Sequence, residues 1–188
     1  MHPTHARTSP TNLIYVCALI APLALGACTT TGSQALLPTE VDIVATHPHS
    51  LSVKATGTSR RFGFGRPFVP SDVLQTTVEE AILQYDLFKA IAKDADYVLQ
   101  LELTELTKPE SGLDMTAGIT MRWSLADTRT EATLWIATLT TAFTASTVHS
   151  SQLDERLRTS IEGALRENIE LGLHQLSGVE LPGSVALE

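Results

Sequence analysis

Hydrophobic and polar residues alternate most regularly in the second half of the chain. In residues 113–126 every second position is apolar. In residues 132–147, after the turn 127–130, a second alternating segment has Trp135, Ala137, Leu139, Thr141 and Phe143 on one side. This period is that of a β-strand with one buried face, so the two segments predict a long antiparallel hairpin. Residues 97–107 show the same alternation and predict a third strand beside it.

Two shorter alternating segments occur earlier in the chain, at residues 41–45 and 51–55. They predict two short strands, and the His47-Pro48-His49 sequence between them is expected to form an exposed turn. Residues 87–92 either close the preceding helix or cross back into the sheet, and the pattern alone does not decide between the two.

Two segments show the period of an amphipathic helix. One begins at Ser71, a candidate N-cap, and carries an apolar stripe as far as Tyr85. The other follows Ser150 or Ser151 and carries an apolar stripe from Leu153 to Leu176. Together the elements predict an α+β fold with an antiparallel sheet of about four to five strands and two helices packed on one face.

The N-terminal segment differs in character from the rest of the chain. Residues 13–26 form a segment without charged residues. The segment is too short for a membrane span of ~20 residues and is typical of a secretory signal. The tetrapeptide Leu25-Gly26-Ala27-Cys28 that follows resembles the lipobox of bacterial lipoproteins. The resemblance implies that Cys28 is the lipid-attachment residue and the mature N-terminus. By the sorting rule of the lipoproteins that it resembles, Thr29 after the cysteine favours the outer membrane, facing the periplasm. The alternative is an ordinary signal peptide with an accidental cysteine.

These signals predict the organisation of the whole chain. Residues 1–27 are a lipoprotein signal peptide, 28–40 a flexible tether, 41–180 a single α+β periplasmic domain and 181–188 a C-terminal tail. Removal of Cys17 with the signal leaves Cys28 as the only cysteine, which excludes an internal disulfide and a thiol nucleophile.

Composition and motifs exclude several classes of function. With 188 residues, 43% of them hydrophobic, the chain has the size of one globular domain, and 13 basic against 21 acidic residues argue against nucleic acid as a partner. Neither a Gly-x-Ser-x-Gly elbow nor a phosphate-binding loop is present in the sequence. His47 and His49 have no further ligand residue nearby in sequence. We therefore expect no metal, no cofactor and no catalytic residues, so that the protein is not an enzyme.

One loop has the composition of a protein contact. Three arginines and three phenylalanines fall within nine positions, namely Arg60, Arg61, Phe62, Phe64, Arg66 and Phe68. Aromatic rings and guanidinium groups are enriched at binding interfaces, so this is a candidate partner-contact loop. The alternative is that the rings fold under the sheet and the arginines pair with acidic surface residues.

Two further segments resemble those of small Gram-negative envelope lipoproteins. Residues 95–101, Ala-Asp-Tyr-Val-Leu-Gln-Leu, and the hairpin around Trp123, Leu125, Asp127 and Trp135 are similar to segments of ABC-transport auxiliary lipoproteins and of relatives of penicillin-binding-protein activators and the curli-channel lipoprotein. The resemblance implies a non-enzymatic, lipid-anchored accessory or assembly component of an envelope transport or cell-wall complex. Two alternatives remain: an envelope enzyme whose site is assembled from distant residues, and a carrier of a small ligand or lipid.

Overall fold

The computed structural model describes residues 33–56, 61–62, 66–67, 70–107 and 112–187. Within these ranges it contains two helices and eight strands, after a short 3-10 turn at Ser33–Ala35. The elements are β1 Ala45–Thr56, β2 Arg61–Phe62, β3 Arg66–Pro67, α1 Ser71–Gln84, β4 Phe88–Ile91, β5 Tyr97–Thr107, β6 Met115–Asp127, β7 Thr133–Ala145, α2 Leu153–Ser177 and β8 Val185–Ala186.

The main sheet has the strand order β4-β1-β5-β6-β7, and β8 pairs with the first two residues of β1. Strands β5, β6 and β7 form an antiparallel meander, as the alternating pattern predicts. The prediction of a wholly antiparallel sheet is wrong, because β1 runs parallel to both of its neighbours, β4 and β5. A parallel pair needs a long crossover connection, and α1 lies in the crossover from β1 to β4.

Both helices pack on the same face of this sheet. The residues that alternate inward along the strands, among them Leu51, Leu99, Leu101, Ile119 and Trp123, are at most 1% exposed. Helix α1 lies over β1 and β4, and α2 lies over β6 and β7. The buried side chains of both helices and of the sheet form one continuous hydrophobic core. The α+β prediction and the two amphipathic helices are therefore confirmed.

The predicted turn at His47-Pro48-His49 is also wrong. These residues belong to β1, which is one strand of 12 residues rather than two short strands. The pairing with β4 shifts register between His47 and Ser50, so an irregularity in the ladder accommodates Pro48, which has no N–H to donate. Residues 88–91, left open by the pattern, form β4 at the sheet edge.

The segments flanking the predicted domain contribute to its core. Leu36 is 4% exposed, and the hydroxyl of Tyr85 donates to the carbonyl of Pro38 at 3.0 Å. Arg166 Nη2 donates to the carbonyl of Ala35 at 2.5 Å. At the other terminus Leu181 is 7% exposed, and β8 follows it. The described part of the predicted tether, from residue 33, is thus packed against the helices.

Candidate interaction surface

The face of the sheet opposite the helices is open and polar. Its residues alternate with the core residues along β5, β6 and β7, and it is rich in threonine. Hydroxyls bond across neighbouring strands, Thr120 to Thr140 at 3.1 Å and Thr116 to Thr144 at 2.8 Å. Such cross-strand pairs order the side chains into rows. An antiparallel meander with one solvated face commonly has this alternation.

A shallow depression of about 470 Å³ lies at one end of this open face. Its walls include Gln100, Arg122, Ser124, Asp127, Glu131 and Ile136. The turn after β6 shapes the rim: the carboxylate of Asp127 accepts a hydrogen bond from the Thr130 backbone N–H at 2.7 Å, and this contact with Thr130 lowers the Asp127 pKa. The depression offers a small polar ligand both a positive side chain, Arg122, and negative ones, Asp127 and Glu131. It is open to solvent, however, and lacks the enclosure of an ordinary ligand pocket.

One edge of the sheet is formed by β7. This strand of 13 residues pairs with β6 on one side. Leu134 and Ile136 on its open face are 44% and 52% exposed. On its core face, Trp135 and Phe143 are only partly buried. The edge therefore presents apolar surface on both faces of the sheet.

The connections between β5 and β6 and between β7 and α2 meet at the opposite end from the depression. Arg156, 6% exposed, donates to the carbonyls of Ser150 at 2.9 Å, Ser151 at 3.0 Å and Gly112 at 3.3 Å. The guanidinium fork thus ties the two loops together through backbone oxygens. Beside it, Leu113 and Val148 are 76% and 92% exposed.

The candidate partner-contact loop leaves β1 at this same end. Arg61 and Phe62 pair with Pro67 and Arg66 as the two-residue strands β2 and β3. This hairpin belongs to a segment in which the glycines and prolines argue against regular structure. Arg60, Phe64 and Phe68 lie outside the described residues, so the contact role of the loop stays a prediction.

The two histidines of β1 have structural contacts. His47 is 2% exposed, its ring lies 4.8 Å from that of Phe88, and its Nδ1 lies 2.8 Å from the Ser184 hydroxyl. Burial lowers the pKa of His47, against the opposing hydrogen bond to the Leu176 carbonyl. His49 bonds through Nε2 to the carbonyl of Pro182 at 2.6 Å. These contacts hold residues 176–184 against the start of β1.

Other chemistry-bearing groups remain dispersed. Among the residues that the structure describes, no three histidine, cysteine or acidic side chains come together in a group that could hold a metal ion. A groove of about 290 Å³ on α2 collects Asp42, Glu167 and Glu170, and burial, with the charge of Glu170, raises the Glu167 pKa. None of the helices in the described ranges combines the length and apolar character needed to cross a bilayer. Cys28 lies outside those ranges.

Comparisons with known proteins relate the chain to others through its fold. No family model and no curated protein matches it. A Xanthomonas campestris protein of the family DUF330 superposes with a TM-score of 0.52 at 16% identity, over 76% of this chain and 92% of that one. A hypothetical protein from Chlamydia trachomatis superposes with a TM-score of 0.53 at 10% identity, over 71% and 98%. A lipoprotein from Neisseria meningitidis gives 0.40 at 13% identity, over 70% and 99%.

At these identities the two superpositions above 0.5 establish a shared fold and nothing narrower. The resemblance to transport auxiliary proteins, synthase activators or the curli channel stays a prediction from the sequence.

Proposed function

We propose that the protein is a lipid-anchored, non-enzymatic component of the bacterial envelope, held at the outer membrane and facing the periplasm. In this role it is an accessory or assembly part of a transport or cell-wall complex. The observation that carries the proposal is the Leu25-Gly26-Ala27-Cys28 sequence at the end of an uncharged segment, directly before a folded domain.

The position of the anchor supports this proposal. Only residues 29–32 separate Cys28 from the first described residue, Ser33, and the domain begins to pack at Leu36. Acyl chains stabilise membrane binding by ~0.8 kcal/mol per buried methylene, so two or more chains on one cysteine hold a domain on a bilayer stably. The domain itself then needs no membrane-binding element.

The packing of the core argues against the carrier alternative. A carrier of lipid or of a small apolar ligand needs a cavity between its sheet and helices. Here that layer holds Met121, Trp123 and Leu101, each at most 1% exposed, together with the apolar stripes of both helices. The depression on the open face lies on the other side of the sheet, and its lining combines charged side chains such as Arg122 and Asp127 with apolar ones such as Ile136.

The exposed apolar side chains of the domain support a docking role. The domain carries apolar side chains along a free strand edge and at the loop end, where Leu113 and Val148 are exposed. Exposed apolar residues that cluster at one site are typical of protein contacts.

Fractionation of Cys28→Ser tests the anchor. The wild-type chain is expected to sediment with outer membranes and to incorporate a labelled fatty acid such as palmitate. The Cys28→Ser variant is expected to do neither. A Cys17→Ser variant is the matched control, because that cysteine lies inside the predicted signal and its loss should leave the membrane fraction unchanged. A processed Cys28→Ser chain that still sediments with the outer membrane overturns the anchor.

Crosslinking of whole envelopes, followed by capture of the lipidated chain and mass spectrometry, tests the accessory role. Reproducible recovery of one transporter, channel or peptidoglycan synthase supports the role if that complex is lost when Arg61, Phe64 and Arg66 are replaced with alanine. Capture of the chain with no such complex contradicts it.

A further inference from the structure

Strand β7 has one side without a neighbour in the part of the chain that the structure describes. It pairs with β6 over almost its whole length, from Thr133 to Ala145. The backbone N–H and C=O groups on its other side therefore point away from the sheet. A free edge of this kind is a template for pairing with another strand.

Apart from one register shift at its start, between Thr133 and Trp135, the edge lacks the features that keep sheet edges apart. From Ala132 to Leu153 the sequence has no aspartate, glutamate, lysine, arginine or proline. The opposite edge differs, because β4 is only four residues long and carries the exposed Lys89. Short length and an edge lysine discourage pairing at β4, whereas β7 has neither.

Apolar side chains flank the free edge on both faces of the sheet. Trp135 and Phe143 are partly buried under α2, while Leu125 and Ala117, their partners on β6, are 0% exposed. Leu134 and Ile136 lie on the open face and are about half exposed. A strand added beside β7 would cover these four side chains, with a favourable transfer of roughly 25 cal/mol per Å² of apolar surface.

We propose that this edge binds β7 of a second copy of the chain, in an antiparallel pair centred on Leu139, so that the two sheets become one. The strand is complementary to itself in that register. Trp135 faces Phe143 of the second copy, Thr138 faces Thr140, Ile136 faces Ala142, and Leu139 faces its own counterpart. Aromatic pairs and threonine pairs are among the favourable cross-strand combinations.

Charge does not oppose a second copy at this site. The chain carries a formal net charge of −8, so two copies repel each other wherever their acidic surfaces meet. The strip from 132 to 153 is free of formal charge, and the acidic residues of α2 lie outside it, namely Asp154, Glu155, Glu162, Glu167 and Glu170. Contact through β7 thus avoids the like-charge repulsion that opposes contact between acidic surfaces.

Cysteine crosslinking in cells that make the full chain tests both the partner and the register. In an Ile136→Cys/Ala142→Cys chain, the two thiols face each other across the proposed pair, at a separation that a disulfide spans. Both side chains are exposed and stand too far apart within one strand to join each other. On mild oxidation, the chain is expected to run at twice its mass on a non-reducing gel and to return to monomer with reductant.

A mismatched pair gives the control for register. In Ile136→Cys/Thr144→Cys the cysteines do not face each other across the proposed pair, so little crosslink is expected. A second variant tests the interface without changing the thiols: Thr138→Glu/Thr140→Glu in the matched background places carboxylates opposite each other and should reduce the crosslinked fraction about tenfold. Ser52→Glu/Gln100→Glu adds the same charge to the open face away from the edge and should leave it unchanged.

Three results overturn the proposal. One is a matched pair that stays monomeric although circular dichroism shows a folded chain. Another is equal crosslinking by the matched and mismatched pairs, since this shows random collision. The third is a crosslinked species whose mass requires a different protein, because the edge then binds another chain. The assay is read on whole cells and does not depend on lipidation at Cys28, so its failure is distinguishable from failure of the anchor.

Discussion

Gly172 lies directly over the indole ring of Trp123. A Cβ on this glycine would stand 2.3 Å from Cζ2 of the tryptophan, far inside van der Waals contact. Gly163 has the same relation to Phe143, with a Cβ at 2.3 Å from Cγ of the ring. The two glycines lie on the sheet side of α2 and allow the helix to approach two large aromatic side chains closely. They set the spacing between helix and sheet.

We expect Gly172→Ala to destabilise the protein by about 1–3 kcal/mol, because the added methyl overpacks a fully buried ring. The direction is informative, since glycine to alanine in a helix usually stabilises by about 1 kcal/mol. Urea unfolding of the variant measures the change. Gly178→Ala is the control: its Cβ would lie 3.5 Å from the Gln175 carbonyl, an ordinary contact, so little change is expected. Equal stability of the two variants would contradict the close approach.

The buried amide of Asn168 joins the same tryptophan to β7. Trp123 donates its indole N–H to Oδ1 at 3.1 Å, and Nδ2 of the asparagine donates to the Leu139 carbonyl at 2.9 Å. Asn168→Leu should cost about 2–4 kcal/mol, because it leaves a buried donor and a buried acceptor without partners. In a double-mutant cycle with Trp123→Phe, part of that cost should disappear. Additive losses would show that the hydrogen bond contributes nothing.

The stability of the protein should depend on the planar guanidinium group of Arg156 and not only on its positive charge. Arg156→Lys removes the planar fork that bonds to three carbonyls, so we expect a loss of about 1–3 kcal/mol and faster hydrogen exchange in residues 146–152. Arg158→Lys is the control, because Arg158 pairs with Glu162 at the surface and such pairs contribute little. Exchange rates that are unchanged in Arg156→Lys would assign the loop order to other contacts.

Stability should fall in mild acid through His47. Its folded pKa lies below 6.5 because burial disfavours the charged ring, and the nearby His49 adds to that effect. The unfolded chain then binds the proton at higher pH than the folded chain does, so the stability is fully present above 6.5 and is lost as pH falls from there through the folded pKa. The slope of melting temperature against pH from 5 to 7.5 measures this.

In His47→Gln the melting temperature should depend less on pH from 5 to 7.5, whether or not the substitution also changes the melting temperature at neutral pH. His149→Gln changes an exposed histidine, and the pH dependence of the melting temperature should stay as in the wild-type chain. A wild-type melting temperature that is constant over the range would exclude His47 as the source.

The loop at 60–68 can be tested separately from the core. Replacing Arg61, Phe64 and Arg66 with alanine should weaken capture of a partner complex without changing the melting temperature, if the loop is a contact surface. A drop of several degrees would instead assign its rings to the core. Lys54→Ala, on the exposed face of β1, controls for the loss of positive charge.

Strands with strict alternation could be predicted from the sequence because one face of each is buried. Met121 and Trp123 are examples: every second residue of β6 reaches the core, and the pattern is visible without knowledge of any neighbour. The pattern does not identify which strand lies beside which. The parallel pairing of β1 with β5, from Leu51 opposite Tyr97, is a long-range contact that leaves no local trace.

Local signals misled at the start of β1 for a physical reason. Proline usually marks a turn, and two histidines beside it look solvent-exposed. In the fold, His47 is covered by Phe88 and by Ser184, which is 137 residues away in sequence. Residues 33–40 similarly look like a linker in the sequence, because few of them are apolar. In the fold, Leu36 is buried in the hydrophobic core and Leu37 packs against it. The β7 edge has the opposite character, because its lack of charge is visible in the sequence and its exposure only in the fold.

Because Leu36 and Pro38 pack against the domain, only a short segment of chain remains between Cys28 and the domain. If Cys28 carries the lipid, five steps of chain join it to Ser33, and at ~3.6 Å per residue they extend at most about 18 Å. A flexible linker ending at residue 40 would have allowed more than twice that distance. The domain is thereby held close to the bilayer, and any partner of the proposed complex must reach the membrane surface to contact it.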